Sequence, residues 1–379
     1  MVNSIHVARW LQQFDARQYR FILVPSTPSR SIHPSIRGLQ NDFGHIKVLQ
    51  WDGRLSRLLW AMDIFFANKV RGALMKLAIK KHKPDLVHAL EFQSGAYLAV
   101  EGLQNLDIGL PFIATSYGSD IFWFQRFPRH VSKIKRVLDR ADAFSAECKR
   151  DVNLARTYGF TGLVLPVIPN AGGFDKPLLP PSLPLKDRKI ILLKGYDSWV
   201  GRGSMAVRAI GLLETELEDL EVVVYSAERK TVNAIKSLPS KLAKKFTIYK
   251  KGELTHLQML TLFGKARLYI GISESDGIST SLLESLSMGC FPVQTSTACT
   301  DEWFIDGFNG ISVKTINEHS VAEAIKEALR ITSTVPGRDF QIERAAILEK
   351  LDATRIANIA KTFYPLTLKS AKLGSRNTL

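Results

Sequence analysis

Residues 273–293 read SESDGISTSLLESLSMGCFPV, and this stretch decides the fold. The apolar, β-rich run just before it, at 266–272, predicts a buried strand. Ser279, Thr280 and Ser281 then offer N-cap hydroxyls for a helix that runs to Met288. A helix N-terminus is therefore expected at the carboxyl end of a strand. Free N–H groups and the helix dipole make this edge of an open α/β sheet suitable for a diphosphate.

Two carboxylates belong to this segment. Asp276 lies in the turn and Glu284 on the following helix, so both can reach one ligand from different sides. A second interpretation of Glu284 is structural, because Ser281-x-x-Glu284 fits a capping box in which the glutamate reaches back to a free N–H. The residues of this segment alone leave both interpretations open.

The pattern resembles the retaining glycosyltransferases of family 4, which have two acidic residues on either side of a seven-residue gap. Asp276 takes the first position, where glutamate is usual, and Glu284 the second, with a Gly-x-Pro-Val type of turn at 289–293. Residues 301–310, DEWFIDGFNG, resemble the later E-x-I-x-D-G-x-N-G stretch of the same family. The resemblance implies an α/β protein with the GT-B fold. Two Rossmann-like doubly wound domains would face each other across a cleft, and a C-terminal helix would cross back to the first domain.

The resemblance also implies a site. Asp276 would bind sugar hydroxyls and Glu284 the nucleotide ribose, and Tyr117 and Asp120 complete the candidate catalytic set. No metal and no cofactor are implied, since the donor would be a UDP- or GDP-linked sugar. The candidate donor-binding residues are Gly195, Arg202, Gly203, Gly277, Ile278, Ser279, Thr280, Ser281 and Glu284.

The resemblance places two cations beside the diphosphate. In the family an Arg and a Lys follow the first strand of the second domain. Here Tyr196 stands in place of the Arg and Arg202 in place of the Lys. Arginine can bind a phosphate through two parallel hydrogen bonds, so this exchange is chemically sound. Lys194 has two interpretations, as a group pointing into the site or as an ordinary strand residue, and we favour the second.

A turn in the first half, at 115–120, reads TSYGSD and resembles the family's T-x-H-G-x-D turn. Tyr117 replaces the histidine, and a tyrosine can donate a hydrogen bond but cannot become cationic near neutral pH. Asp120 either belongs to the site or caps the helix that follows. Both roles stay open.

Length and composition fit a two-domain α/β protein, since 379 residues with 45% apolar content can bury two cores. Short apolar runs at 21–25, 46–49, 85–89, 111–115, 143–146 and 163–168 predict parallel strands alternating with helices. The second half repeats this pattern at 188–194, 222–225, 246–249, 291–295 and 311–313. We predict an acceptor-binding domain at 1–176, a Pro-rich linker at 177–187, a nucleotide-sugar domain at 188–338, the crossover helix at 339–366 and a disordered basic tail at 367–379.

The amino end departs from the family, which begins with a central strand and a glycine-containing turn. This chain enters an apparent helix at 7–14 almost at once, so we expect a truncated start or a lost first strand. A doubly wound sheet without that strand would have unpaired edges at its centre. We therefore expect a weakened or rearranged first domain.

The chain lacks a run of about 18 apolar residues and a signal-peptide pattern, so a cytoplasmic protein is expected. Cys148, Cys290 and Cys299 are scattered, without the spacing of a disulfide framework or a zinc site. This distribution fits a reducing compartment.

Net charge is +15, and residues 1–180 hold 24 Lys/Arg against 14 Asp/Glu. Basic clusters at 69–83 and 126–136 follow apolar and aromatic residues of the segments 55–66 and 122–127. Such neighbours favour an anionic membrane surface as a partner, although solvated or core helix faces also give these patterns. No nucleic-acid-binding motif is present, so nucleic acid is not expected.

We therefore predict transfer of a sugar to a saccharide or lipid-linked acceptor, in polysaccharide or glycolipid biosynthesis. The alternatives are a nucleotide-sugar epimerase of the same fold and a catalytically degenerate partner subunit.

Overall fold

A computed structural model describes residues 2, 4–15, 18–27, 31–43, 45–49, 53–66, 68–104, 106, 109–334 and 341–376. The strands within these residues are β1 (Phe21–Leu23), β2 (Ile46–Val48), β3 (Val87–Leu90), β4 (Phe112–Ser116), β5 (Ala143–Ala146), β6 (Leu163–Val164), β7 (Ile190–Lys194), β8 (Glu221–Ala227), β9 (Phe246–Lys250), β10 (Ala266–Gly271), β11 (Phe291–Thr295) and β12 (Ile311–Val313).

The α-helices of the same residues are α1 (Ile5–Leu11), α2 (Pro34–Phe43), α3 (Gly53–Phe66), α4 (Lys69–His82), α5 (Tyr97–Leu103), α6 (Ser119–Phe122), α7 (Pro128–Arg140), α8 (Lys149–Thr157), α9 (Gly203–Gly211), α10 (Arg229–Lys236), α11 (Ser240–Ala243), α12 (His256–Lys265), α13 (Thr280–Ser287), α14 (Glu318–Thr334), α15 (Gln341–Lys350), α16 (Ala353–Lys361) and α17 (Phe363–Arg376).

The chain forms two compact units. One contains Met1–Gly173 and Ala353–Leu379, and the other contains Phe174–Asp352. The Pro-rich segment 177–187 thus lies at the start of the second unit, where it forms short 3₁₀ turns at Lys176–Leu178 and Leu185–Asp187.

The second unit is built on one parallel sheet with the order β12-β11-β10-β7-β8-β9. Residues Ile191, Leu192 and Leu193 of β7 have no exposed surface, as expected for a central strand that helices cover on both faces. The predicted strands of this half are all present, and none of their ends is shifted by more than two residues. The doubly wound arrangement expected from the sequence is confirmed.

The first unit has parallel strands in two separate sheets. β1 pairs with β2, and β3, β4, β5 and β6 follow one another in a four-stranded sheet. Among the described residues, no strand joins β1 to β3. The expected unpaired edges at the centre of this sheet are therefore present, and the chain opens with α1, whose N-cap Ser4 accepts a hydrogen bond from the backbone of His6.

The carboxyl-terminal segment differs from the prediction. The segment 339–366, expected as one helix, contains all of α15, then α16 and the beginning of α17, with residues 339 and 340 outside the described residues. The tail from Thr367, expected to be disordered, is helical to Arg376, and Thr367 is buried. Residues 377–379 lie outside the described residues. The basic composition of the tail led to the prediction of disorder, although the segment is helical.

Helices α16 and α17 complete the core of the first unit. Phe363 and Tyr364 are buried in one apolar cluster with Trp10 and Phe14 of the amino-terminal segment. The Trp10 indole Nε1 donates a hydrogen bond to the Tyr364 hydroxyl at 3.1 Å, and the Phe14 and Tyr364 rings are stacked. The segments that contain Trp10 and Phe14 and those that contain Phe363 and Tyr364 therefore stabilise each other by packing in one core.

Helix α3 carries an apolar surface that its own unit does not cover. Phe65 is 85% exposed, Phe66 53% and Trp60 44%, whereas Asp63 is buried in an ion pair with Arg71. The alternative interpretation, in which the apolar residues of 55–66 form a core helix face, is wrong for these three residues. Nowhere in the described parts of the chain is a helix both long and apolar enough to cross a bilayer.

We predict that Phe363→Ala lowers the free energy of unfolding of the first unit by about 3–5 kcal/mol, because it removes a fully buried ring. Leu373→Ala is the matched control in the same helix. Leu373 is 55% exposed, so its loss should change stability by less than about 0.5 kcal/mol. Urea unfolding followed by circular dichroism measures both effects, and equal stability of the two variants would contradict this packing.

Candidate functional site

The start of helix α13 lies at the carboxyl edge of the second sheet, where β10 ends. Its N-cap is Ser279, whose side chain makes no capping hydrogen bond to the helix. The first-turn N–H groups therefore keep their partial positive charge without a side-chain cap. The expectation of a helix N-terminus at a strand end is confirmed.

Glu284 lies on the first turns of α13 and is buried, with its Oε1 atom 2.9 Å from Nε2 of His256. His256 begins α12, whose own N-cap is a capping box formed by Thr255 and Gln258. Ser281 is the second residue of α13 rather than its N-cap. The carboxylate of Glu284 is thus held by an imidazole, and the capping-box interpretation of Ser281 and Glu284 is wrong.

Two buried tyrosines join the predicted carboxylates. Burial raises the pKa of Tyr269, and the nearby charges of Asp276 and Glu284 raise it further. Burial likewise raises the pKa of Tyr225, with additional effects from Tyr269 and Glu284. Asp276 itself is half-buried, and its backbone N–H donates to the carbonyl of Thr297 at 3.3 Å. The structure therefore brings Asp276 and Glu284 to one neutral phenol, that of Tyr269, and Glu284 also to that of Tyr225.

Lys194 ends β7, the strand beside β10. Its Nζ atom lies 3.4 Å from the Ser279 hydroxyl, at the N-terminus of α13. Among the described residues, no carboxylate forms an ion pair with Lys194. The favoured interpretation of this lysine as an ordinary strand residue does not describe this position, because its ammonium group is directed to the helix start.

Arg202 occupies a different environment. Its backbone N–H donates to the carbonyl of Ile272 at 2.9 Å, which ties the loop after β7 to the end of β10. Its guanidinium forms an ion pair with Glu274, with Nε 2.8 Å from Oε1. Any phosphate bound by Arg202 would compete with this carboxylate. The predicted phosphate contact stays a prediction.

The predicted glycines of this site have a packing role. A side chain on Gly195 would meet Val224 at 2.7 Å, and one on Gly203 would meet Thr231 at 2.7 Å and the Gly195 carbonyl carbon at 2.9 Å. The end of β7 and the start of α9 can therefore approach only because both positions lack a Cβ. Gly277 and Ile278 are buried in the turn before α13, and Thr280 and Ser281 form its first turn.

The first unit contains the other two predicted residues. Asp120 is buried, and its carboxylate accepts hydrogen bonds from the backbone N–H groups of Phe92 at 2.8 Å and Tyr117 at 2.5 Å. It therefore joins the loops after β3 and β4 instead of capping α6. Burial, with the neighbouring Glu91 carboxylate, raises the pKa of Asp120 to about 7.

Tyr117 has a buried hydroxyl that lacks a hydrogen-bond partner among the described residues. Burial raises its pKa well above the ordinary value, so the phenol stays neutral. The ring of His6 lies 5.9 Å from the ring of Tyr117. The imidazole of His6 therefore lies beside Tyr117, the position at which the turn of the resembling family has a histidine.

Four functional candidates were missed or undervalued from the sequence, namely Lys194, Tyr225, His256 and Tyr269. Lys194 had a signal, since it is a cation at the predicted end of a central strand. His256 and Tyr225 lie in segments with no motif, and their neighbours in space are distant along the chain.

Comparisons with known proteins agree with this architecture. Residues 175–341 match the family described as glycosyl transferases group 1, and residues 1–147 match the family described as glycosyl transferase 4-like. A search of curated protein sequences finds no significant relative.

Solved structures share the fold at low identity. A glycosyltransferase from Rickettsia africae is 15% identical with a TM-score of 0.64, covering 97% of this chain and 94% of that one. The Anabaena protein HepE in complex with UDP-glucose is 15% identical with a TM-score of 0.63, covering 96% and 97%. Sucrose-phosphate synthase from Thermosynechococcus elongatus is 13% identical with a TM-score of 0.68, covering 96% and 92%. The chain therefore belongs to the group 1 glycosyltransferases of family 4 and has their GT-B fold.

Proposed function

We propose that this protein is a retaining glycosyltransferase that moves a sugar from a UDP- or GDP-linked donor to a saccharide or lipid-linked acceptor. Polysaccharide or glycolipid biosynthesis is the proposed setting. The observation that carries the proposal is the start of α13, where a helix N-terminus without a side-chain cap, the Lys194 ammonium and the Glu284 carboxylate lie at one sheet edge. The Anabaena protein of the same fold is in complex with UDP-glucose.

The groups at this edge suit the charges of a nucleotide-sugar. As the glycosidic bond lengthens, negative charge grows on the leaving diphosphate, and the helix start and Lys194 can bind it. An ionised carboxylate only accepts hydrogen bonds, so Glu284 suits the two hydroxyls of a ribose. Asp276 would accept from hydroxyls of the transferred sugar. We propose this division of roles without a metal and without an enzymic nucleophile.

The exposed face of α3 supports a membrane-bound acceptor. Trp60, Phe65 and Phe66 are exposed, and the basic helix α4 begins at Lys69. In the second basic cluster, the guanidinium of Arg126 lies 4.1 Å from the centre of the Trp123 ring. Aromatic groups beside cations bind at the boundary between anionic headgroups and acyl chains. We propose that the first unit docks on such a surface.

One observation favours a second candidate function, a partner subunit without transferase activity. The family resemblance assigns Arg202 to the diphosphate, but its guanidinium is already paired with the Glu274 carboxylate. A subunit of this kind would bind donor weakly and would act only with an active homologue. The binding experiments below separate the two functions.

We predict that calorimetric titration with UDP and GDP in the presence of chelator gives binding of one nucleotide, which Glu284→Ala weakens about tenfold or more. The reason is the loss of hydrogen bonds to a charged acceptor, each worth about 1.5–3 kcal/mol. Glu327→Ala is the control, since Glu327 forms an exposed pair with Arg330 and should leave the Kd unchanged. Equal affinity of wild type and Glu284→Ala would exclude this site, and no binding to wild type would favour the partner subunit.

A second prediction compares two cations. Lys194→Met should weaken binding of the nucleoside diphosphate by about tenfold to a hundredfold, through the loss of a charge-assisted hydrogen bond. Arg202→Met should have a smaller effect, because Glu274 already binds its guanidinium. The free nucleoside carries no phosphate, so its affinity should not change in either variant. Titration of both ligands measures this, and a larger loss in Arg202→Met would reverse the assignment.

The membrane proposal has its own test. Wild-type protein should sediment at low salt with vesicles rich in acidic lipid, and Phe65→Glu should abolish most of this binding by placing an anion on the docking face. Leu178→Glu is the matched control, because Leu178 is 72% exposed in the second unit. Binding should weaken as salt screens the charges. Failure of the wild type to sediment would contradict docking.

A further inference from the structure

Helix α12 directs one side chain to the carboxylate that we assign to the nucleotide ribose. His256 is the first residue of α12, and its Nε2 atom lies 2.9 Å from Oε1 of Glu284 on α13. The two residues are 28 positions apart in sequence, so only the fold brings them together. Among the described residues, this is the one hydrogen bond that the Glu284 carboxylate makes.

The two partners of this hydrogen bond differ in exposure. The side chain of Glu284 is 9% exposed, whereas that of His256 is 51% exposed. A buried carboxylate oxygen without a hydrogen-bond donor is costly, and the imidazole supplies that donor. The half-exposed ring of His256 is thus also the part of the pair that a ligand can reach from solvent.

Two buried phenols lie near the same carboxylate without binding it. Burial raises the pKa of Tyr225 and of Tyr269, and the charge of Glu284 adds to both effects. The Tyr269 hydroxyl donates to Oε1 of Gln294 at 3.3 Å, so its proton is directed away from Glu284. Of the groups around the carboxylate, the imidazole is therefore the one that determines its orientation.

The backbone around His256 is held by the start of α12 itself. Thr255 is the N-cap, and it forms a capping box with Gln258. The Thr255 N–H donates to Oε1 of Gln258 at 2.8 Å, and the Gln258 N–H donates to the Thr255 hydroxyl at 3.3 Å. This cap satisfies free N–H groups of the helix start without the imidazole. Replacement of His256 should therefore leave α12 intact.

The hydrogen-bonding groups of this pair suit a diol. A neutral imidazole has one N–H donor, and an ionised carboxylate has two oxygens that together offer about four acceptor positions. His256 takes one of these positions, and the others can accept from the 2′- and 3′-hydroxyls of a ribose. An acceptor that is already held in place loses less freedom when the ligand binds. A 2′-deoxynucleotide would lack one of the two donors, which lowers its affinity.

We propose that His256 is a positioning residue that makes the donor site selective for ribonucleotides, by holding Glu284 where its carboxylate accepts from both ribose hydroxyls. The inference rests on the proposed function, since it takes the ribose of a nucleotide-sugar as the ligand of Glu284. It gives His256 no contact with the diphosphate, which the start of α13 and Lys194 would bind.

The test is calorimetric titration of the full chain with UDP and GDP, with their 2′-deoxy counterparts and with inorganic pyrophosphate. Wild type should bind one ribonucleotide about tenfold more tightly than its 2′-deoxy counterpart, through one further hydrogen bond to a carboxylate. His256→Ala should lose this preference and bind both forms equally. Its affinity for pyrophosphate and its Tm should stay at the wild-type values.

Two further variants separate the hydrogen bond from the packing of the ring. His256→Gln keeps an N–H donor in the form of a side-chain amide, so it should retain most of the preference for the ribonucleotide. His319→Ala is the matched control, because His319 is an exposed histidine of α14 in the same unit. It should leave every affinity unchanged.

The possible failures of this inference differ from those of the proposed function. A preference that persists in His256→Ala, or one that is absent from wild type, would overturn the role of His256 and leave the donor site in place. An equal loss in His256→Gln and His256→Ala would overturn it as well, as would a loss of affinity for pyrophosphate. If wild type bound none of these ligands, the proposed function and the inference would both be wrong.

Discussion

Every group of the proposed donor site depends on one constraint, the parallel hydrogen-bonded ladder of the second sheet. Because all its strands run the same way, their carboxyl ends meet at one edge, and each helix after a strand begins near that edge. β7 brings Lys194 there and β10 is followed by α13, although the two strands are more than 70 residues apart in sequence. The parallel topology by itself therefore creates a position that can bind an anion, whatever side chains lie there.

The first unit is also built from parallel strands, but these strands do not form one continuous sheet. β1 and β3 belong to separate sheets, and the loops after β3 and β4 are joined by the buried carboxylate of Asp120. The core of this unit is closed from the other end of the chain, through Phe363 and Tyr364 against Trp10. Aromatic packing there contributes part of the cohesion that a continuous sheet would otherwise supply.

Much of the fold and part of the site could be predicted from the sequence. Runs of apolar residues bounded by turns located the strands, and Ser279, Thr280 and Ser281 after the run at 266–272 located the start of α13. The partner of Glu284 could not be predicted, because His256 is 28 positions away and belongs to no motif. The contrast between Lys194 and Arg202 depends on Glu274, whose proximity to Arg202 exists only in the folded chain. Helical periodicity predicted an apolar face on α3, but it could not show whether another element covers that face.

The return of the last helices to the first unit has a consequence for how the protein is made. During synthesis domains generally fold as units, beginning from the amino end. Here the second unit is continuous from Phe174 to Asp352, whereas the first needs residues beyond Ala353. Phe363 and Tyr364 emerge from the ribosome only after the second unit has been translated. The first unit therefore finishes folding only after the second unit has been synthesised, and until then the apolar side of α1 lacks its partners.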